Sequence, residues 1–384
     1  MNRDVYVVGV GMHPFMKDCP DTRDMAFTAG RAALADAGLP FQDIGYLYNG
    51  YMGGRMLEGV TIAKDFGLTG VPIVHVENAS ATGSSAFREA TLAVAGGSCE
   101  VAMALGWDGS LRSRAASMMR PRGSKPSIEG MLLPAGFFAM WAVRRMHEHG
   151  TTVETFAKIA AKNWNHARLN PMAERQADKE ITPQQVLEAP MVAYPHTAMM
   201  ACGAGGGAAC AIVANREVAE RVAAGRPLVR VSASQMQSEH YTEGHIFMGA
   251  VVGPAELTRT TARLAYEEAG RGPEDLSLVQ VHDAFPIEEL MYYELLDICA
   301  DGEGDKLVEE GATAIGGRIP FSTDGGLIAR GHPGGPTGLA QIWEITQQLR
   351  GESGPRQVDG AHLGLAHMMG AGSVCVIHIL EREN

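Results

Sequence analysis

The chain has few cysteines, a deficit of positive charge and no long apolar run, and each shortage removes a class of protein. Six cysteines stand at positions 19, 99, 202, 210, 299 and 375 of 384 residues, with no C-x-x-C pair among them. Thiols this sparse argue against a disulfide scaffold and a cysteine-built zinc site, and they point to a reducing, cytoplasmic compartment and no bound metal. Acidic residues outnumber basic ones by 44 to 32, a formal net charge of -12, which argues against nucleic acid or an anionic membrane as the main partner. No stretch of about 20 apolar residues is present to span a bilayer, and the run from Val5 to Gly11 is too short for a signal peptide. What remains, 46% hydrophobic and 20% charged, is the composition of a folded chain long enough for two or three cores.

A repeat organises that chain. The segment Ala29–Gly38 followed by Asp43–Tyr48 matches Ala262–Gly270 followed by Asp275–Gln280, pairing Ala33 with Ala265, Asp36 with Glu268 and Ala37-Gly38 with Ala269-Gly270, always 232 residues apart. In each copy apolar residues at helical spacing end at a glycine, the usual left-handed cap, and an aspartate-led turn enters a short apolar strand. Two copies of one α/β unit are expected. The patterning predicts strands at Val5 to Gly11, Ile73 to Glu77, Val101 to Trp107, Leu228 to Ser234, Leu278 to His282 and Ser373 to Leu380. It predicts helices at Asp24 to Asp36, Thr82 to Ala95, Arg259 to Ala269 and Gly338 to Arg350. Residues 110–196 break the alternation and read as an insertion, either a surface excursion or a functional lid. The expected division is therefore an N-terminal half, 1–109 with 197–227, an inserted loop domain, 110–196, and a C-terminal half, 228–384.

The chemistry-bearing residues lie at the ends of these elements. Ser80 falls between the strand at Ile73 and the helix opening at Thr82, where unpaired N–H groups and the helix dipole favour developing negative charge. The same position suits serine as a helix N-cap, so both roles stay open. His282, in Val281-His282-Asp283-Ala284-Phe285, closes a strand of the second copy, and His332, in Gly331-His332-Pro333-Gly334-Gly335-Pro336-Thr337-Gly338, opens a helix. His367, in Leu365-Ala366-His367-Met368-Met369-Gly370-Ala371-Gly372, belongs to a glycine-containing stretch that allows backbone to approach a ligand. Jointly these residues outline an acid/base site.

In this order, the turn at Ser80, the His-Asp-Ala-Phe motif at 282–285, the Gly-His-Pro motif at 331–333 and the glycine-rich terminus resemble the thiolase superfamily over essentially the whole chain. The resemblance implies an α/β protein with a duplicated five-layer αβαβα fold. The motif at 282–285 and His367 are most similar to sterol-carrier-protein-type thiolases and to the archaeal and bacterial thiolases that work with a small zinc-ribbon/OB-fold partner. It implies an acyl-CoA substrate, coenzyme A as cosubstrate, no intrinsic cofactor, a homodimer and a heteromeric complex. By the same resemblance Ser80 stands where the acyl-accepting cysteine is found, His332 activates that residue, His282 helps hold the thioester oxygen, and His367 replaces the C-terminal cysteine and shuttles the α-carbon proton. Gly331, Gly370 and Gly372 would line the CoA thioester. Arg120 and Arg122, within the basic cluster from Arg112 to Lys125, are the expected phosphate contacts, although a solvated basic loop fits them equally. The run from Met131 to Trp141 suits an acyl tunnel wall or simple core.

Serine changes the expected chemistry. A thiol with a reference pKa near 8.5 ionises readily at a helix N-terminus, whereas a hydroxyl needs concerted base assistance and yields an oxygen ester. Four readings follow: an engineered replacement of cysteine, a natural serine acyltransferase working on a 3-oxoacyl-CoA, a retro-aldolase acting on a β-hydroxyacyl-CoA, and a non-catalytic acyl-CoA-binding or scaffold subunit.

Overall fold

In a computed structural model of the protein the described residues are 3–52, 56–110, 134–240 and 255–383. The first copy runs β1 (Val5–Met16), α1 (Thr22–Ala37), β2 (Tyr46–Gly50), α2 (Glu58–Phe66), β3 (Ile73–Val76), α3 (Thr82–Ala95) and β4 (Val101–Asp108). After α4 (Pro134–His149), α5 (Val153–Ala167), α6 (Pro183–Glu188), β5 (Met191–Ala193) and β6 (His196–Thr197), it ends with β7 (Gly206–Asn215) and α7 (Arg216–Val222). The second copy is β8 (Leu228–Ser238), α8 (Ala255–Ala269), β9 (Leu278–Gln280), α9 (Pro286–Leu295), α10 (Gly304–Glu309), α11 (Gly334–Arg350), β10 (Leu363–Gly370) and β11 (Val374–Glu383).

Nine strands form one mixed sheet in the order β3-β2-β4-β7-β1-β8-β11-β10-β9. The order is a palindrome of the two copies: β2 and β4 pair in parallel as β9 and β10 do, and β4–β7 is antiparallel like β10–β11. The copies meet at β1 and β8, through Tyr6 with Arg230 and Val7 with Val229. The offset of 232 holds for the α1–β2 unit alone. Beyond it the copies differ in length, above all where a three-residue turn between β10 and β11 replaces the long excursion between β4 and β7.

Burial divides the molecule into five layers. α1, α2 and α7 cover one face of the first half-sheet through Met25, Ala29, Ala33, Ile62 and Val218. α3 and α11 form a middle layer, with Phe87, Ala90, Leu339 and Ile342 packed between Val7 and Ala102 on one side and Ala366 and Leu380 on the other. α8 and α9 cover the second half-sheet, and Phe138 of α4 and Phe156 of α5 share that core. The described part of the excursion is thus bound into the second copy. α1 shows the local logic: Asp21 caps its start by accepting from Arg23 N at 2.8 Å, and Gly38 ends it at φ 64°. No helix among the described residues is long and apolar enough to cross a membrane.

Candidate active site

The site begins with the turn from β3 into α3. Ala79 has φ 48°, a left-handed conformation that alanine enters only under constraint. The constraint is a set of short-range bonds: Ala81 N to Asn78 O and Thr82 N to Ala79 O, both 3.0 Å, and Asn78 N to Thr82 Oγ1 at 2.9 Å. Glu77 Oε1 accepts from Ala79 N at 2.7 Å, and Gly370 backs the turn so closely that a Cβ there would lie 2.4 Å from Asn78 O. Ser80 is held half-buried, its Oγ 3.0 Å from His332 Nε2. The cap position of α3 is Ala81, without a side-chain cap bond, so Ser80 does not take the N-cap role.

His332 reaches Ser80 because α3 and α11 touch through glycine. A Cβ on Gly83 would lie 2.5 Å from Gly335 O, one on Gly106 2.6 Å from the same atom, and one on Gly338 2.2 Å from Ser84 Oγ. Any side chain at these places would separate the two helix ends. Buried Asp108 fixes α11 by accepting from Gly335 N at 2.6 Å. His332 Nδ1 meets Thr337 Oγ1 at 2.9 Å, and Thr337 donates to Pro333 O. With its own proton spent there, the threonine oxygen accepts from Nδ1–H, and Nε2 presents a lone pair to the Ser80 hydroxyl. Burial, then the charges of His282 and Arg330, holds the His332 pKa well below the usual imidazole range.

His282 follows β9, its ring edge-on to His332 with centroids 5.2 Å apart. Its Nδ1 lies 2.9 Å from Oε1 of Glu288, in the first turn of α9, and Tyr292 OH donates to the same oxygen at 3.2 Å. Nε2 of His282 and Oε2 of Glu288 are buried with no hydrogen-bond partner among the described residues. Asp283 faces away: it accepts from Leu327 N at 2.8 Å and Asn163 Nδ2 at 2.7 Å, anchoring the segment that leads to His332.

His367 lies within β10 and is fully buried. Its ring packs on Tyr292 at 4.2 Å, its Nε2 is 3.5 Å from Thr258 Oγ1, and burial followed by the charge of His282 pushes its pKa down to about 3. It has no hydrogen bond to Ser80 or His332. Gly331 (φ 109°) and Gly372 (φ 82°) occupy backbone conformations suited to glycine, beside His332 and in the β10–β11 turn. Arg120 and Arg122 lie outside the described residues, as does the rest of the cluster from Arg112 to Lys125. Glu288 and Thr337, which orient the two histidines, were not singled out by the sequence reading. Thr337 lies in the quoted Gly-His-Pro segment, and an acid in the first helical turn after Phe285-Pro286 is the signal for Glu288.

A family model described as "Thiolase, N-terminal domain" matches residues 5–191, and "Thiolase C-terminal domain-like" matches 239–382. The chain belongs to the thiolase family. Sterol carrier protein 2 of Oryctolagus cuniculus is 35% identical over 396 residues, covering 98% of this thiolase-family chain and 72% of its own length. An acetyl-CoA acetyltransferase of Methanothermobacter thermautotrophicus is 35% identical over 400 residues, covering 99% and 100%. A solved "Ltp2-ChsH2(DUF35) aldolase" superposes with a TM-score of 0.82 at 24% identity, over 99% of this chain and 98% of its own, which shows the shared fold. Family membership supports an enzyme of thiolase type.

Proposed function

We propose that the protein works on the Cα–Cβ bond of a CoA thioester, cleaving a 3-oxoacyl-CoA with coenzyme A or running the reverse Claisen condensation, with Ser80 as acyl acceptor. The observation that carries this reading is the 3.0 Å contact between Ser80 Oγ and the His332 Nε2 lone pair at the N-terminal end of α3. His332 takes the hydroxyl proton as Oγ attacks the 3-keto carbon; the Cα–Cβ bond breaks, and the departing enolate is protonated at Cα by the neighbouring histidines. Coenzyme A then attacks the serine ester, and Oγ recovers its proton. Among the described residues no carboxylate is bonded to His332, so the imidazolium formed in the first step is poorly compensated and the serine form is slow.

One observation favours a second reading. The carboxylate-backed His282, with Nε2 free, suits removal of a hydroxyl proton, and retro-aldol cleavage of a β-hydroxyacyl-CoA would need no acyl-enzyme. A homodimer is supported by β3, an edge strand whose Val74 is 40% exposed. A small second subunit is supported by the fold neighbour whose name joins two components.

The test is intact-mass analysis after incubation with a 3-oxoacyl-CoA, alongside CoA-dependent cleavage by Ser80→Cys. An adduct at Ser80 and a rate gain of tenfold or more in the variant support the acyl-enzyme reading. No adduct, no gain, and release of a carbonyl product from a 3-hydroxyacyl-CoA would move the assignment to the aldolase. Binding of CoA thioesters with no turnover of either substrate would leave a scaffold subunit.

A further inference from the structure

Both histidines of the site present a lone pair at Nε2, but they differ in what stands behind it. Glu288 Oε1 receives two hydrogen bonds, from His282 Nδ1 at 2.9 Å and Tyr292 OH at 3.2 Å, as a carboxylate oxygen does. Nδ1 therefore carries the proton, and neutral His282 is an acceptor at Nε2. It cannot donate to a thioester oxyanion, the role the family resemblance gives it, until it has itself taken up a proton. A positive charge formed on His282 faces a carboxylate, while one formed on His332 faces the neutral hydroxyl of Thr337.

Glu288 is also the link to a cavity. A space of about 570 Å³ is walled by buried Thr258, Glu288, Tyr292 and Met369, and by the largely exposed Arg144 and Asp301. His367 and His282 lie directly behind this buried wall, bonded to Thr258 and Glu288 respectively. Other charges bordering the cavity are already paired, Arg145 with Glu294 and Asp305, and Arg259 with Asp297 and Asp301. Glu288 Oε2 has no partner among the described residues.

We propose that His282 is the base for the α-carbon proton and that Glu288 is its positioning residue, holding Nδ1–H and countering the charge that forms on the ring. The inference deepens the assignment of this site to CoA-thioester chemistry and takes the α-carbon proton from His367 to His282. In the condensing direction the Cα–H bond of the thioester breaks, its electron pair enters the enolate, and the proton bonds to Nε2. The imidazolium keeps its Nδ1 proton on the Glu288 carboxylate, and Nε2 gives up the abstracted proton on the reacting side, to the Ser80 oxygen as its ester is consumed or, with acetyl-CoA alone, to solvent, which restores the neutral ring with Nε2 free. In the cleaving direction the same steps run backwards and deliver a proton to the carbanion.

The test uses the full chain with acetyl-CoA in D2O, following deuterium at C2 by mass spectrometry, beside the mass of any Ser80 adduct formed from the same acetyl-CoA, a transfer that moves no Cα proton. Glu288→Gln is expected to exchange about 10²–10⁴-fold more slowly while adduct formation is retained. Glu288→Ala is expected to be equally slow and to regain exchange when formate is added, because the cavity admits a small carboxylate to the vacated place. A structural role would not be restored by formate. Wild-type exchange in Glu288→Gln, absence of exchange in the unaltered protein, or a folded Glu288→Ala that ignores formate would each overturn the proposal. Exchange that depends on Glu288 with no adduct at Ser80 would keep it and remove the acyl-enzyme reading instead.

Discussion

Two residues ahead of its middle-layer helix the first copy carries Ser80, and the second copy carries His332 at the equivalent place. Where the first has Gly50, 232 residues earlier, the second has His282. The near-symmetric frame brings two helix ends together, and the unequal residues placed there divide the work: one copy offers a hydroxyl, the other supplies the bases and the carboxylate behind one of them. The edges differ as well. β3 of the first copy is exposed, whereas at the other edge Phe321 bridges Val279 and is fully buried beneath the helices of the excursion.

The largest expected break between the copies is acid. Burial pushes the pKa of His166, His367 and His378 down to about 3 and that of His196 to about 4, and all four lie in the excursion or the second copy. The unfolded chain takes protons near pH 6.5 that the folded chain refuses until about 3 or 4, so stability falls as pH drops through that window. At pH 5 the loss is about 2 kcal/mol for each histidine. Hydrogen exchange at pH 5 should show protection failing in 228–240 and 255–383 before 5–52 and 56–108; simultaneous loss would mean that the copies melt as one. Next comes Gly83→Ala, whose Cβ would meet Gly335 O at 2.5 Å. A loss of about 1–3 kcal/mol in denaturant unfolding is expected, with acylation of Ser80 reduced, and unchanged stability would show that the helix contact has slack. Least disturbing to the fold is Val74→Lys on the exposed edge. Its stability should stay within about 0.5 kcal/mol while light scattering reports a monomer, and an unaltered mass would exclude a dimer through β3.

The frame was legible because helices such as α1 and α3 carry clear periodicity and terminate at glycine. β7 was not, since Gly206-Gly207-Ala208-Ala209 has little strand propensity and is held by neighbours on both sides. β10 was read only as a glycine-containing stretch that lets backbone approach a ligand, and its glycines serve the packing of a buried strand against the Ser80 turn and α11. Ser80, His282 and His332 could be named because motif order marks them. Their orienting partners could not: Glu288 matters through a rotamer and Thr337 through the direction of one hydroxyl proton, neither of which a sequence pattern encodes.

Two residue pairs join β1 to β8, against eight between β4 and β7, so the middle of the sheet is its most lightly stitched seam. Ser80 hangs from one side of that seam and His332 from the other. A rotation of one half against the other would have to slide the shared middle layer of α3 and α11 and would alter the distance between hydroxyl and imidazole, which makes that single hydrogen bond a gauge of how the two halves of the molecule sit.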